Sequence, residues 1–193
     1  MTIATQTYDE VNDAELVRRA RFDAADFAPL YLRYRDRVLH YCFYRLGDQT
    51  EAEDAASAVF IKAIVGLDGY RDDGSFAPWL FRIAHNEVVD CHKRRFRHPQ
   101  TELSFAGDLA DPLPSPEDAA MASDALRRLR ILLGTLPSRE RAVMELRLTD
   151  LTTSEIATVL AISEGNVRTA QSRALAKLRD VMDVRSDSVR PNG

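Results

Sequence analysis

Trp79, Arg82, Asn86 and the run Lys93-Arg94-Arg95 fall in one stretch of the chain, and their chemistry suits a surface for unpaired nucleic acid. Unpaired bases stack on aromatic rings with about 1–3 kcal/mol each, while cations hold the phosphate backbone. A side-chain amide such as that of Asn86 hydrogen-bonds the exposed edge of a base turned out of the stack. Between Arg82 and Arg97 the positive residues Arg82, Lys93, Arg94, Arg95 and Arg97 outweigh Glu87 and Asp90. Plainer readings of the same residues stand beside this one. Trp79 at helical spacing suits a core, and Lys93-Arg94-Arg95 suits a solvated helix C-terminus that complements the helix dipole.

A second group lies near the other end. Thr152 with Glu155 three residues later reads as a capping box that opens a short helix with Ile156, Ala157 and Leu160 inward. A tight turn at Ala161-Ile162-Ser163-Glu164 leads into a longer helix with Val167, Ala170, Ala174, Leu175 and Leu178 on one face. Short helix, turn, longer helix is helix-turn-helix geometry. Its outer face carries Asn166, Arg168, Thr169, Gln171, Ser172 and Arg173, followed by Lys177 and Arg179. Arginine takes guanine edges or phosphates, glutamine pairs with adenine, and Ser or Thr bonds phosphate oxygens. An ordinary solvated helical hairpin has the same pattern, so a stand-alone helix-turn-helix regulator and a non-binding hairpin both remain open on geometry alone.

Composition bounds what else the chain does. It has 193 residues, with 26 Lys+Arg against 30 Asp+Glu and a net charge of −4. That excludes a uniformly basic coat protein and leaves local patches open. Two cysteines, Cys42 and Cys91, make neither a disulfide framework nor a four-thiolate zinc site, and both suit small core positions. Cys91 and His92 are neighbours that point different ways on a helix, so no metal and no cofactor is expected. There is no HExxH, GxSxG or P-loop motif, and the reading is of a non-enzyme. No apolar run approaches the roughly 18 residues that span a bilayer, and no secretory signal is visible, so a soluble cytoplasmic protein is expected.

The elements that position these residues read as all-α. Apolar residues recur at helical spacing over 26–46 and 51–67, and a third helix over about 76–95 has Pro78 in its first turn and Phe76, Leu80, Ile83, Ala84 and Cys91 as its buried side. Asp72-Asp73-Gly74 is a turn signal. In the second half Leu126, Leu129, Leu132, Leu133 and Leu136 mark a helix stopped by Pro137, and Ser138 is the expected N-cap of the next. Between them, over about 98–117, prolines and acidic residues without a single Lys or Arg predict a linker.

The ordered set of short motifs resembles a bacterial RNA polymerase sigma factor of the small extracytoplasmic-function (ECF) type. It comprises Glu53-Asp54, Phe60-Ile61-Lys62-Ala63, Phe76, Trp79-Leu80-Phe81-Arg82-Ile83-Ala84, Asn86, Asp90, Arg94-Arg95, Leu136-Pro137, Arg141, Leu146-Arg147, Ser154-Glu155-Ile156-Ala157, Leu160, Ile162-Ser163, Gly165, Val167-Arg168 and Arg173-Ala174. The resemblance implies two small helical domains: an N-terminal segment 1–23, region 2 over 24–97, a flexible acidic linker 98–121, region 4 over 122–183 and a tail 184–193. It implies that Trp79, Arg82, Asn86, Lys93, Arg94 and Arg95 bind the melted minus-ten element. It implies that Asn166, Arg168, Thr169, Gln171, Ser172 and Arg173 read the minus-thirty-five duplex, and that Glu53, Asp54, Ser57, Ile61 and Lys62 meet core polymerase. The implied partners are core RNA polymerase, through the clamp helices of its largest subunit and its flap, promoter DNA, and an anti-sigma protein, with no membrane insertion. The chain departs from the family pattern at Ser57 and Ala58, where Gln and Glu are usual, at Ala55-Ala56, which replace bulkier apolar residues, and at Ala170, where a basic or polar residue is frequent.

Overall fold

A computed structural model describes residues 11–71, 75–97 and 116–188, and among these there are eight α-helices and no strand. The first half comprises α1 (Asp13–Phe22), α2 (Ala28–Leu46), α3 (Gln49–Gly66) and α4 (Phe76–Arg97), with single 3-10 turns at Ala24–Phe27 and Leu67–Gly69. The second half comprises α5 (Pro116–Gly134), α6 (Ser138–Arg147), α7 (Thr153–Leu160) and α8 (Glu164–Ser188). The expected turn at Asp72-Asp73-Gly74, the linker residues 98–115 and the tail beyond 188 lie outside the described residues. Helix α5 begins at Pro116, within the stretch whose composition reads as linker, and α8 runs into the stretch read as tail.

Local chemistry explains where the helices begin and end. The Asn12 side chain accepts the Glu15 N–H at 2.9 Å and starts α1, which buries Leu16, Val17 and Ala20. Gly47 ends α2 at φ +80°, a left-handed conformation that glycine adopts without the Cβ penalty, and its N–H returns to the Phe43 carbonyl at 2.9 Å. The Arg130 guanidinium of α5 occupies the space beside Gly47, 1.8 Å from where a Cβ would stand, so a side chain there would displace it. Asp48 then caps α3 by accepting the Glu51 N–H at 2.9 Å. Ser138 is the first residue of α6 rather than its cap: Pro137 holds the cap position, without a side-chain bond, and its fixed φ directs the chain into the helix.

Alanines set the packing of the first half. Ala52, Ala55, Ala56 and Ala63 of α3 are buried, and α3 packs against both α2 and α4. The small residues that depart from the family pattern at Ala55-Ala56 therefore lie in the core. Helix α4 buries more than the sequence pattern indicates. Ala77, Phe81, Glu87 and Val88 are buried with Phe76, Leu80 and Ala84, whereas Ile83 and Cys91 are half-buried. The reason is that α4 is packed on three sides, by α2, α3 and α7.

That third neighbour joins the halves. The buried cluster is continuous from Leu16 in α1 through α2, α3 and α4 to Val143, Leu146, Leu151, Ile156 and Val159. At its edge Glu145 of α6, with no exposed surface, accepts from Arg45 of α2 at 3.0 Å and from Arg141 of its own helix at 2.6 Å. Arg141 also donates to the Tyr44 carbonyl at 2.7 Å, and Arg37 donates to the Thr149 carbonyl at 3.0 Å while lying over the rings of Tyr34 and Phe81. A buried carboxylate is tolerated only with its charge matched and its lone pairs bonded, and breaking such a pair costs about 3–5 kcal/mol. Removing the carboxylate by Glu145→Ala therefore weakens the seam by about that much. The expected readout is a larger radius of gyration in small-angle scattering with unchanged helicity; an unaltered radius would contradict the role given to Glu145.

Candidate nucleic-acid interface

The half-exposed edge of α4 carries the first group of residues. Trp79 is half-buried, its ring 5.0 Å from that of Tyr70 and 5.5 Å from that of Phe76. It is both a wall of the core and the rim of an open cleft of about 420 Å³, lined by Lys62, Gly66, Gly69, Trp79, Ile83 and Asn86. A Cβ at Gly66 would meet the Trp79 ring at 3.4 Å, so glycine there lets the indole edge and α3 approach closely. Asn86 and Arg82 are exposed. Trp79 therefore packs against the core on one side and borders the open cleft on another.

The basic run is partnered rather than free. Lys93 pairs with Asp90 at 3.2 Å, Arg94 with Glu87 at 2.8 Å and Arg95 with Glu51 at 3.3 Å. The Lys93–Asp90 and Arg95–Glu51 pairs are exposed on both sides and worth about 0–1 kcal/mol, so those two cations remain available to phosphates, whereas Arg94 is held by the buried Glu87 carboxylate. Lys62 stands apart from the other residues assigned to polymerase. It bonds Glu87 of α4 and lines the cleft beside Asn86. Glu53, Asp54, Ser57 and Ile61 are exposed on α3, where Ser57 donates to the Glu53 carbonyl of its own helix at 2.8 Å. Beside them Ile61, Ile64 and Val65 expose 63%, 42% and 79% of their surface, which makes an apolar ridge on α3. Ile64 reads as core from periodicity, and its exposure shows that the buried stripe of α3 is narrower than its apolar stripe.

The second group rests on α7 and α8. The Thr152 hydroxyl accepts the Glu155 N–H at 3.3 Å, and the Glu155 carboxylate accepts the Thr152 N–H at 2.8 Å, completing the box expected from sequence. Burial pushes the Glu155 carboxyl up, but the Thr152 backbone and hydroxyl, Ser75 and Arg37 together hold it below the usual value. Ala161 takes the turn at φ +52°. Asn166, Arg168, Thr169, Ser172 and Arg173 are exposed along α8, and Ala170 is buried on the opposite side, so the departure from the family pattern at Ala170 concerns packing. Gln171 is half-buried and accepts from Arg147 at 3.1 Å. Arg147 also donates to the Leu151 carbonyl and the Thr153 hydroxyl, each at 2.8 Å, and so ties the end of α6 to α7 and α8. Sequence spacing gave no sign of this brace, because two of its partners lie in the turn and helix start just beyond α6 and the third, Gln171, is 24 residues away.

The first half thus presents an open cleft bordered by an indole, an amide and a lysine, and the second a helix-turn-helix with an exposed polar row on α8. Comparison with known proteins gives the family. Residues 30–98 match the family model for sigma-70 region 2, and residues 132–180 match that for sigma-70 region 4. The ECF RNA polymerase sigma factor BldN of Streptomyces coelicolor is 35% identical over 180 residues, covering 88% of this chain and 66% of BldN, just under two thirds of that protein's length. The ECF sigma factor SigW of Bacillus subtilis is 30% identical over 166 residues, covering 81% of this chain and 89% of SigW. The structure of CnrH in complex with the cytosolic domain of CnrY aligns with a TM-score of 0.70 and 26% identity, over 89% of this chain and 97% of CnrH. The chain belongs to the ECF group of RNA polymerase sigma factors, and this decides between a sigma factor and a stand-alone regulator. No helix among the described residues is long and apolar enough to cross a membrane.

His85, one residue before Asn86, gives the fold a pH-dependent stability. Its Nδ1 is 3.0 Å from the Tyr41 hydroxyl, and burial, then the Arg45 charge, lower its pKa from the usual 6.5. His92 is lowered for the same first reason. The unfolded chain takes up these protons near pH 6.5 and the folded chain does not, so stability falls as the pH drops below that value toward the lowered one. Denaturant midpoints between about pH 7 and pH 5 are expected to decline, and His85→Asn to flatten the decline; an equal slope in the variant would show that His85 is not responsible.

Proposed function

We propose that this sigma factor directs core RNA polymerase to promoters by holding DNA at two places, single-stranded minus-ten bases on α4 and minus-thirty-five duplex on α8. The observation that carries the first half is the open cleft between Lys62, Trp79 and Asn86, which offers a stacking face, an amide and a cation to a base that has left the helix. The exposed row Asn166, Arg168, Thr169, Ser172 and Arg173 supports the second. In this reading the α3 surface of Glu53, Asp54, Ser57 and Ile61, extended by Ile64 and Val65, meets the clamp helices of the polymerase largest subunit, and Lys62 belongs to the DNA side.

Energetics require the partner. Separating about ten base-pair steps costs on the order of 14 kcal/mol in stacking. A few captured bases at about 1–3 kcal/mol each do not supply it. The net charge of −4 also keeps free binding to DNA weak. The protein therefore acts by binding rather than by catalysis, in the cytoplasm, and only as a subunit of the polymerase. The packed seam between the halves is the free form, and polymerase opens it. CnrH was solved with the cytosolic domain of CnrY bound; an anti-sigma factor is the proposed partner of the closed form here.

Transcription with purified core enzyme and a promoter library tests this reading directly. The chain is expected to start transcripts from a defined set of promoters, and failure to bind core or to select any promoter overturns it. Asn86→Ala is expected to leave polymerase binding intact and slow open-complex formation. Arg173→Ala is expected to weaken binding at the minus-thirty-five site by about 1–3 kcal/mol at one base position if it reads a base. A loss equal across sequences makes Arg173 a phosphate contact.

A further inference from the structure

We infer that Glu87 is a positioning residue of the minus-ten cleft, a buried carboxylate that fixes Lys62 at the cleft wall and Arg94 about two turns along the same helix. The inference rests on the reading of the cleft as the seat of an unpaired base, and it concerns a residue that neither composition nor motif singles out. Glu87 follows Asn86 directly and turns inward, with 4% of its surface exposed. One carboxylate oxygen accepts from the Lys62 ammonium, the other accepts from Arg94 at 2.8 Å, and the Cys91 sulfur lies 3.7 Å from that second oxygen. An ionised carboxylate at that depth requires charged partners. Both partners come from the solvent side: the Lys62 and Arg94 side chains are 54% and 66% exposed.

Two consequences follow from this geometry. A lysine on a flexible stem is otherwise a roving point charge. Bonded to Glu87, its ammonium is fixed beside Asn86 and Trp79 and keeps two of its three protons for a ligand in the cleft. The carboxylate also subtracts charge from a surface that would otherwise hold any strand by its phosphates. Glu87 thus trades general attraction for placement: a base with an acceptor atom at the right position is held by Lys62, and a strand without one gains little. Arg94, bonded to the same group, lies further along α4, where the next stretch of backbone would pass.

Glu87→Gln separates this role from simple packing, because glutamine has the same size without the charge. The experiment uses holoenzyme made from core polymerase and the full chain, with fluorescent oligonucleotides from the non-template strand of a promoter the holoenzyme itself selects, each base substituted in turn. The variant is expected to bind all strands more tightly, with a salt dependence steeper by about 0.7 in log–log slope, the increment for one more neutralised phosphate on a single strand. At one base position its discrimination is expected to fall by roughly threefold or more, the scale of one ion-pair contact near a surface. A merely structural role moves affinity and discrimination down together, and that result, or an unchanged profile, overturns the inference. Lys62→Met, at a half-exposed position, carries the test should Glu87→Gln not fold: it is expected to lose discrimination at the same base, and retained discrimination overturns the inference. Asn86→Ala in the same assay keeps the two levels apart. If it binds like the parent, the reading of the cleft fails; if it loses binding while Glu87→Gln is unchanged, only the role of Glu87 fails.

Discussion

Glu145 has no contact with water in the closed molecule, and the charge that makes this tolerable comes from both halves of the chain, Arg45 on α2 and Arg141 on α6. Much of the arrangement follows from that sharing. An apolar seam alone would hold the halves together by area, and separating it would expose greasy surface. The seam here combines apolar contact, through Val143, Leu146, Leu151, Ile156 and Val159, with one carboxylate and two guanidinium groups that water can solvate once they part. The charged part makes the contact specific in geometry, because Glu145 is tolerated only where both guanidinium groups meet it. The carbonyl contacts of Arg37 and Arg141 have the same character.

Helix α4 is where stability and function meet. One side, with Ala77, Phe81, Ala84 and Val88, is buried in the core that continues into the second half. Another carries Asn86 and the free edge of Trp79. The sides do not compete, so α7 can leave without disturbing the cleft. The outer row of α8 is exposed even in the packed form. In the proposed reading, closure covers neither candidate DNA face and instead fixes the distance between them. Base pairs along B-DNA are about 3.4 Å apart, so two elements many base pairs distant require two modules that separate.

The helices with a strong apolar period, the capping box at Thr152 and Glu155 and both solvent-facing rows of DNA-suited residues were legible from the sequence because each is a local pattern. Helix α1 was not: its core contribution is only Leu16, Val17 and Ala20 among charged neighbours, a signal too short to stand out. The second buried face of α4 was hidden because its cover is assembled from elements distant in sequence: Phe81 meets Tyr41 and Arg37 of α2, and α7 packs on the same helix. The seam itself joins residues a hundred positions apart, Arg45 and Glu145, and no spacing rule reaches that far. Lys62 shows the same limit on a smaller scale. Position along α3 groups it with Ile61, but its bond to Glu87 turns it toward α4 and the cleft.

The claim on which the account turns is that one chain has a closed free form and an open working form. Paired spin labels at the exposed positions Asp26 and Asp180, one in each half, measure it directly. The free protein is expected to give a single narrow distance, replaced on adding core polymerase by a distinctly longer one. An identical narrow distance in both states, or a broad distribution in the free chain, would contradict it.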